Sequence, residues 1–209
     1  MLKMKGKSKG PYDSEELQRF NQIKMIITKL QSKTESKHRK ILITTADKGF
    51  NQSLIAYDLA HTFAEKGRKT VLIDANLQQP VLHLLFQESG QLGLTNALHR
   101  GEVGRYLIRT KVKNLSFLPL GPSSSRALEG WREDRLDHVM GVLSKTNDVT
   151  IIESPSYLTY SETQMLASLC DEIIVVVKHN KDRMRRIRKM KKDLEAAGKE
   201  ISGIVYQSH

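Results

Sequence analysis

The chain has 209 residues, 39% of them apolar, a formal net charge of +11 and one cysteine, Cys170. Such a length suits one domain that buries a substantial core without metal or cross-links, and a lone cysteine excludes a disulfide framework. The cysteine reads as a buried apolar filler in a protein of a reducing compartment.

The first 13 residues, rich in Lys, Gly and Ser, read as a flexible basic tail, and residues 14–209 as the single folded domain. Asp13 or Ser14 can cap a helix whose early acids, Glu15 and Glu16, suit the positive end of its dipole. Leu17, Phe20, Ile23, Ile27 and Leu30 recur at three- and four-residue steps, which predicts an amphipathic helix with those five on its inner face.

Strands and helices then alternate. Short β-branched runs at 40–45, 69–75, 114–120, 148–154, 172–178 and 202–207 predict strands buried on both faces of a parallel sheet. Helical patterns fall at about 52–66, 80–86, 131–145, 161–169 and 181–197, the first closed by Gly67 and the last by Gly198. The stretch "GPSSSR" (121–126) reads as a loop, and Trp131 as a packing anchor after it. The fold class is therefore α/β: three layers, with a mostly parallel central sheet flanked by helices and a site at the carboxyl ends of the strands.

No apolar run approaches the ~20 residues of a membrane span, and no apolar segment of signal-peptide length follows the basic start, so the expected location is the cytoplasm. Charge is concentrated at the ends. Residues 1–40 hold 11 Lys/Arg against 4 Asp/Glu, residues 178–209 hold 10 against 4, and the middle is near neutral. Basic ends suit an anionic membrane surface, nucleic acid or an acidic partner. In "KDRMRRIRKMKK" (181–192), Met184, Ile187, Met190 and, beyond it, Leu194 step by three and four, so they are expected to face the sheet and the cations to face out. No aromatic residue interleaves those cations to stack bases, which disfavours nucleic acid. The seven histidines show no metal-ligand spacing, and Ser123 to Ser125 lack a recognisable base.

The chemistry-bearing stretch is "TTADKGFNQSL" (44–54), where strand, tight loop and helix follow one another as in a P-loop, without its G-x-x-x-x-G-K-[ST] pattern. Two further predicted strands end in acids: Asp74 in "LIDANLQQP" and Glu153 in "IIESPS". In a working NTPase the loop N–H groups and lysine cradle phosphate, a Ser/Thr holds magnesium and such a carboxylate orients the metal's water.

Across roughly residues 14–206 the chain resembles the cytoplasmic domain of bacterial tyrosine kinases of the capsular or exopolysaccharide type, relatives of the MinD/ParA P-loop ATPases. The matching stretches are "ILITTADKG", "AHTFAEKGRKTVLIDANLQQPVLHLLF", "GLTNALHRG", "LSFLPLGPSSSRALEG", "DVTIIESPS" and "SETQMLASLCDEIIVVVK". Against the family pattern, the nucleotide loop would comprise Gly49, Asn51, Gln52 and Ser53, of which only Gly49 and Ser53 keep the family residue. Asp74 persists, Asn76 stands for the next acid, Gln78 for a basic residue, and Glu153 and Glu162 for aspartates. Asp74, Glu153 and Glu162 are thus vestigial catalytic candidates, and Ser53 and Asp74 the metal ligands only if magnesium binds. Gln52 cannot bring the lysine's charge to phosphate, a loss that typically costs ~10²–10³ in rate. Asn51 puts a Cβ where the family has glycine, and Glu153 is a methylene longer than the aspartate it replaces.

The resemblance implies a catalytically impaired kinase-like protein, a pseudokinase, that regulates or scaffolds capsule or exopolysaccharide synthesis. No cofactor is expected, or ATP and magnesium if the site works. Its implied partners are a membrane-embedded adaptor of the polysaccharide co-polymerase type and other copies or a related kinase, which would hold it at the inner face of the plasma membrane. Glu16 and Arg19 fit the family's E-x-x-R-x-x-R assembly motif, whose second arginine is Gln22 here. The family's terminal tyrosine cluster is reduced to Tyr206. One alternative is an active tyrosine kinase or ATPase with a site rebuilt from Lys48, Ser53, Asp74 and Glu153; another is a ParA-like DNA-binding module.

Overall fold

The computed structural model describes residues 14–33, 38–46, 52–124, 128–178 and 181–207. Its elements run α1 (Ser14–Lys33), β1 (Arg39–Thr45), α2 (Gln52–Glu65), β2 (Thr70–Asp74), α3 (Leu82–Leu85), α4 (Leu94–Arg100), α5 (Val103–Tyr106), β3 (Ile108–Arg109), β4 (Leu115–Leu118), α6 (Glu133–Ser144), β5 (Val149–Ser156), α7 (Ser161–Leu169), β6 (Glu172–Lys178), α8 (Lys181–Ala196) and β7 (Ile201–Gln207). The strands form one seven-stranded sheet in the order β3-β4-β2-β5-β1-β6-β7, parallel throughout except for the β3–β4 pair. This is the expected α/β class with a mostly parallel sheet between helical layers. The expected strand and helix positions hold to within one or two residues at each end.

Continuous apolar runs suit central strands because both faces are covered. One face of the sheet packs against α1 and α2 through residues such as Ile27, Leu59, Ile41 and Ile151. The other packs against α4, α6, α7 and α8 through residues such as Leu98, Val139, Leu166 and Met190, with Leu42 and Ile152 from the strands. Cys170 is buried there.

The sequence patterns do not predict three short elements, α4, α5 and β3. The start of α4 leans on the exit of β4: Leu94 N–H donates to Pro119 O at 2.7 Å and Thr95 N–H to Leu120 O at 2.9 Å. Gly93 fits this approach because a Cβ there would come within 1.9 Å of Pro119 O.

Two inner faces differ from expectation. In α1 the buried set is Ile23, Ile26, Ile27 and Leu30, whereas Leu17 and Phe20 are half-exposed, Phe20 lying under Lys24 Nζ at 4.2 Å from its ring centroid. In α8, Met190 and Leu194 are buried and Ile187 partly so, but Met184 is 53% exposed. Correct periodicity marks a face; it does not mark where along the helix the covering layer stops.

Candidate functional site

Strands β2, β5 and β1 are neighbours in that order, so the residues after their carboxyl ends converge. Along β5 the register slips between Ile43↔Glu153 and Thr45↔Ser156, which makes room for one extra residue in β5. Pro155, lacking an N–H, is tolerated at such a bulge. Its carbonyl accepts Thr44 Oγ1 at 2.6 Å and Thr163 Oγ1 at 3.3 Å, which ties β1 and α7 to the strand end.

Asp74, the last residue of β2, is the register partner of Glu153 in β5, and neither has solvent exposure. Neighbouring parallel strands lie ~4.8 Å apart, and register partners share a face. Asn76 joins the pair. Its Nδ2 donates to Glu153 Oε1 at 3.0 Å and its backbone N–H to Asp74 Oδ1 at 3.1 Å, while its Oδ1 accepts the N–H groups of Gln78 (3.2 Å) and Gln79 (3.1 Å). One amide thus shapes the turn after β2 and fixes the orientation of Glu153. Asp74 Oδ2, Glu153 Oε2 and Gln52 Oε1 are buried with no hydrogen-bond partner among the described residues.

Burial pushes the Asp74 carboxyl up to about 7, against the opposing pull of the Asn76 and Leu82 N–H groups. Burial also drives Glu153 well above the carboxylate range. The neighbouring Asp74 charge adds to that rise, and Asn76, Ser53 and Gln52 oppose it. Two carboxylates this close cannot both ionise cheaply, so the pair favours holding a proton.

Gln52 and Ser53 form the first turn of α2, each 6% exposed. Above them lies a cleft of about 820 Å³ lined by Thr45, Gln52, Ser53, Asn76, Gln78, Gln79, Ser156 and Tyr160, with an apolar shoulder of Leu54, Val81, Leu84 and Leu85. Among the described residues no Lys or Arg lines it. Those residues offer hydroxyls, amides and the N–H groups of a helix start. Lys48, Gly49 and Asn51 lie outside the described residues. Glu162 lies in the first turn of α7, and its Oε2 accepts the Ser161 hydroxyl at 3.3 Å. Among the described residues no group of three His, Cys, Asp or Glu side chains could hold a metal ion.

The residues aligned with the assembly motif lie on α1, and nothing is described of the Glu16 side chain. Arg19 Nε meets Asp58 Oδ2 of α2 at 2.6 Å within the same chain. Gln22 clamps the edge strand: its Nε2 donates to Tyr206 O at 3.0 Å and its Oε1 accepts Tyr206 N–H at 2.7 Å. In the sequence Gln22 stands where the family pattern has an arginine; no local pattern signals a contact 184 positions away. Asn76 likewise reads as a substitution, while its bridging role depends on strand register.

No protein-family model matches the chain. Curated relatives include the putative tyrosine-protein kinase CapB of Staphylococcus aureus, 25% identical over 175 residues, which covers 83% of this chain and 77% of that protein. Tyrosine-protein kinase CpsD of Streptococcus agalactiae is 27% identical over 172 residues, 81% and 75% of the two chains. Among solved structures, the VpsO kinase domain superposes with a TM-score of 0.81 at 25% identity, over 95% of this chain and 99% of that one. MinD of Pyrococcus horikoshii, complexed with Mg-ADP, gives 0.71 at 20% identity, over 81% and 70%. Among the described residues no helix is long and apolar enough to cross a membrane.

Proposed function

We propose, starting from the homology of this chain with bacterial tyrosine-protein kinases, that it is a catalytically impaired relative of those enzymes. It regulates or scaffolds capsule or exopolysaccharide synthesis at the inner face of the membrane, through a membrane-embedded adaptor. Residues 14–209 act as one domain.

The observation that supports this reading is the state of the strand-end carboxylates. Asn76 holds Glu153, Asp74 is fully buried against it, and among the described residues the cleft beside them has no lining cation. Among the described residues, a nucleoside triphosphate there meets amides and hydroxyls, and its phosphates approach a buried acidic pair. Ser53 and Asp74 are the residues that would hold magnesium, which supplies charge neutralisation of phosphate when bound. Ser53 lies beside Glu153, and Asp74 is its register partner, so both candidate ligands share their surroundings with a second buried carboxyl.

The testing experiment is a turnover assay of the purified chain with radiolabelled ATP, in magnesium or manganese, beside an active relative. The expected result is no ATP hydrolysis and no tyrosine phosphorylation above background. Turnover that Gln52→Ala or Asp74→Asn abolishes would overturn the reading in favour of an active enzyme with a rebuilt site. A thermal-shift titration with ATP and ADP separates silent binding from none, since a ligand of the native state raises its apparent stability.

A further inference from the structure

We propose that the outer face of α8 is a docking surface for an anionic phospholipid bilayer, in direct contact with the lipid headgroups and independent of any adaptor and of the state of the cleft. Arg185, Arg188, Lys189 and Lys192 are all exposed. Their spacing of three, one and three places them on one stripe of a helix with 3.6 residues per turn. Ile187, Met190 and Leu194 lie on the opposite stripe, packed into the core. The core contact therefore fixes the helix rotation, and the cations point outward with no further ordering of the backbone.

None of those four cations has a hydrogen-bonded or ion-paired partner among the described residues, whereas their neighbours are engaged. Lys191 Nζ meets Glu195 Oε1 at 3.6 Å, and Arg186 Nε donates to Ala46 O at 3.3 Å. Asp193 and Glu195 flank the stripe, the latter taken up by Lys191. Met184, 53% exposed, borders the stripe beside Arg188.

Several occupants can be compared on this geometry. A second copy of a chain with net charge +11 is repelled. The surface is the outer side of a helix, and no aromatic residue stands among the cations of 181–192 to stack bases. A planar anionic bilayer matches an outward row of long cationic side chains, and an exposed thioether gains from the acyl boundary where a phosphodiester backbone offers it nothing. Each such Lys or Arg contributes about fivefold in partition near an anionic surface.

The test is co-sedimentation of the full chain at physiological salt with vesicles of phosphatidylcholine alone or mixed with phosphatidylglycerol. The chain is expected in the pellet only with phosphatidylglycerol. Replacing Arg185, Arg188, Lys189 and Lys192 together by Ala lowers that partition on the order of several hundredfold, with the circular dichroism spectrum unchanged. Lys189→Glu alone, at an exposed site that tolerates it, lowers it roughly 25-fold. The pair Lys191→Ala/Glu195→Ala removes no net charge and leaves it unchanged. The proposal is overturned if the wild-type chain stays in the supernatant, or if the quadruple variant sediments as well as wild type, which would assign binding to the basic tail. Tighter binding to duplex DNA or to an acidic polypeptide than to the vesicles at the same salt overturns it as well.

Discussion

Asp74 and Glu153 face each other as register partners on adjacent parallel strands, both without solvent exposure, and each keeps one carboxyl oxygen without a hydrogen-bond partner among the described residues. The pair joins stability to pH in a particular direction. Burial raises the folded-state pKa of both groups above their unfolded values, Asp74 to about 7 and Glu153 in the same direction. The folded state therefore binds more protons than the unfolded one, so this contribution is complete below the unfolded carboxylate range and is lost as pH rises toward 7. Asp74→Asn removes the charge and keeps the shape. Its thermal midpoint should exceed that of wild type at pH 7 by on the order of 5 °C, and the gap should close as pH falls toward 4. Melting curves of both proteins across that range check this; a gap that widens in acid contradicts it.

Asn76→Ala removes a donor from a buried carboxyl and an acceptor from two backbone N–H groups. Each unmet group costs roughly 1 kcal/mol or more, which places the loss near 2–3 kcal/mol. Urea denaturation at pH 7 should show a lower midpoint with an unchanged slope. Asn76→Asp keeps the shape but brings a third carboxyl to the pair, and its destabilisation should ease in acid.

Gln22→Ala opens the clamp on Tyr206. Both contacts are solvent-accessible, so the cost is about 1 kcal/mol or less. The informative measurement is amide hydrogen exchange: the Tyr206 amide should lose protection while those of β1 and β5 keep theirs. Equal protection of Tyr206 in both proteins would show the clamp to be idle in solution.

Gly93→Ala forces a Cβ into the Pro119 carbonyl, backbone against backbone, where no rotamer change relieves the overlap. The start of α4 must then separate from β4, at a cost of about 3 kcal/mol. A drop in the midpoint of chemical unfolding on that scale is expected, with local loss of exchange protection at Leu94 and Thr95.

The sheet was legible because runs such as "EIIVVV" and "VLIDA" are too apolar and too β-branched to be anything but buried strands, and the helices between them have the right period. The helix α4 left a readable trace, Leu94, Ala97 and Leu98 at helical steps before Gly101, but its seven residues fell below the length at which periodicity decides. The two-residue β3 leaves no trace at all. At the site, Asp74 and Glu153 could be named from their positions after strands, whereas the roles of Asn76 and Gln22 come from register and from which strand forms the edge. Those are properties of the assembled sheet. Leu17, Phe20 and Met184 belong to the right helical faces and still escape burial because the layer that covers those faces ends before they do.

The side chain of Arg39 sets a boundary on how the molecule can come apart. Its Nη1 donates to the Leu30 carbonyl at 2.6 Å and meets Glu172 Oε1 at 2.8 Å, so one buried cation is held jointly by α1, β1 and β6. Detaching α1 alone would strand a charged pair in the interior without its full set of acceptors, a penalty far above that of fraying an ordinary terminal helix. The amino-terminal helix should therefore share the fate of the central strands, protected and released in a single cooperative unit with them.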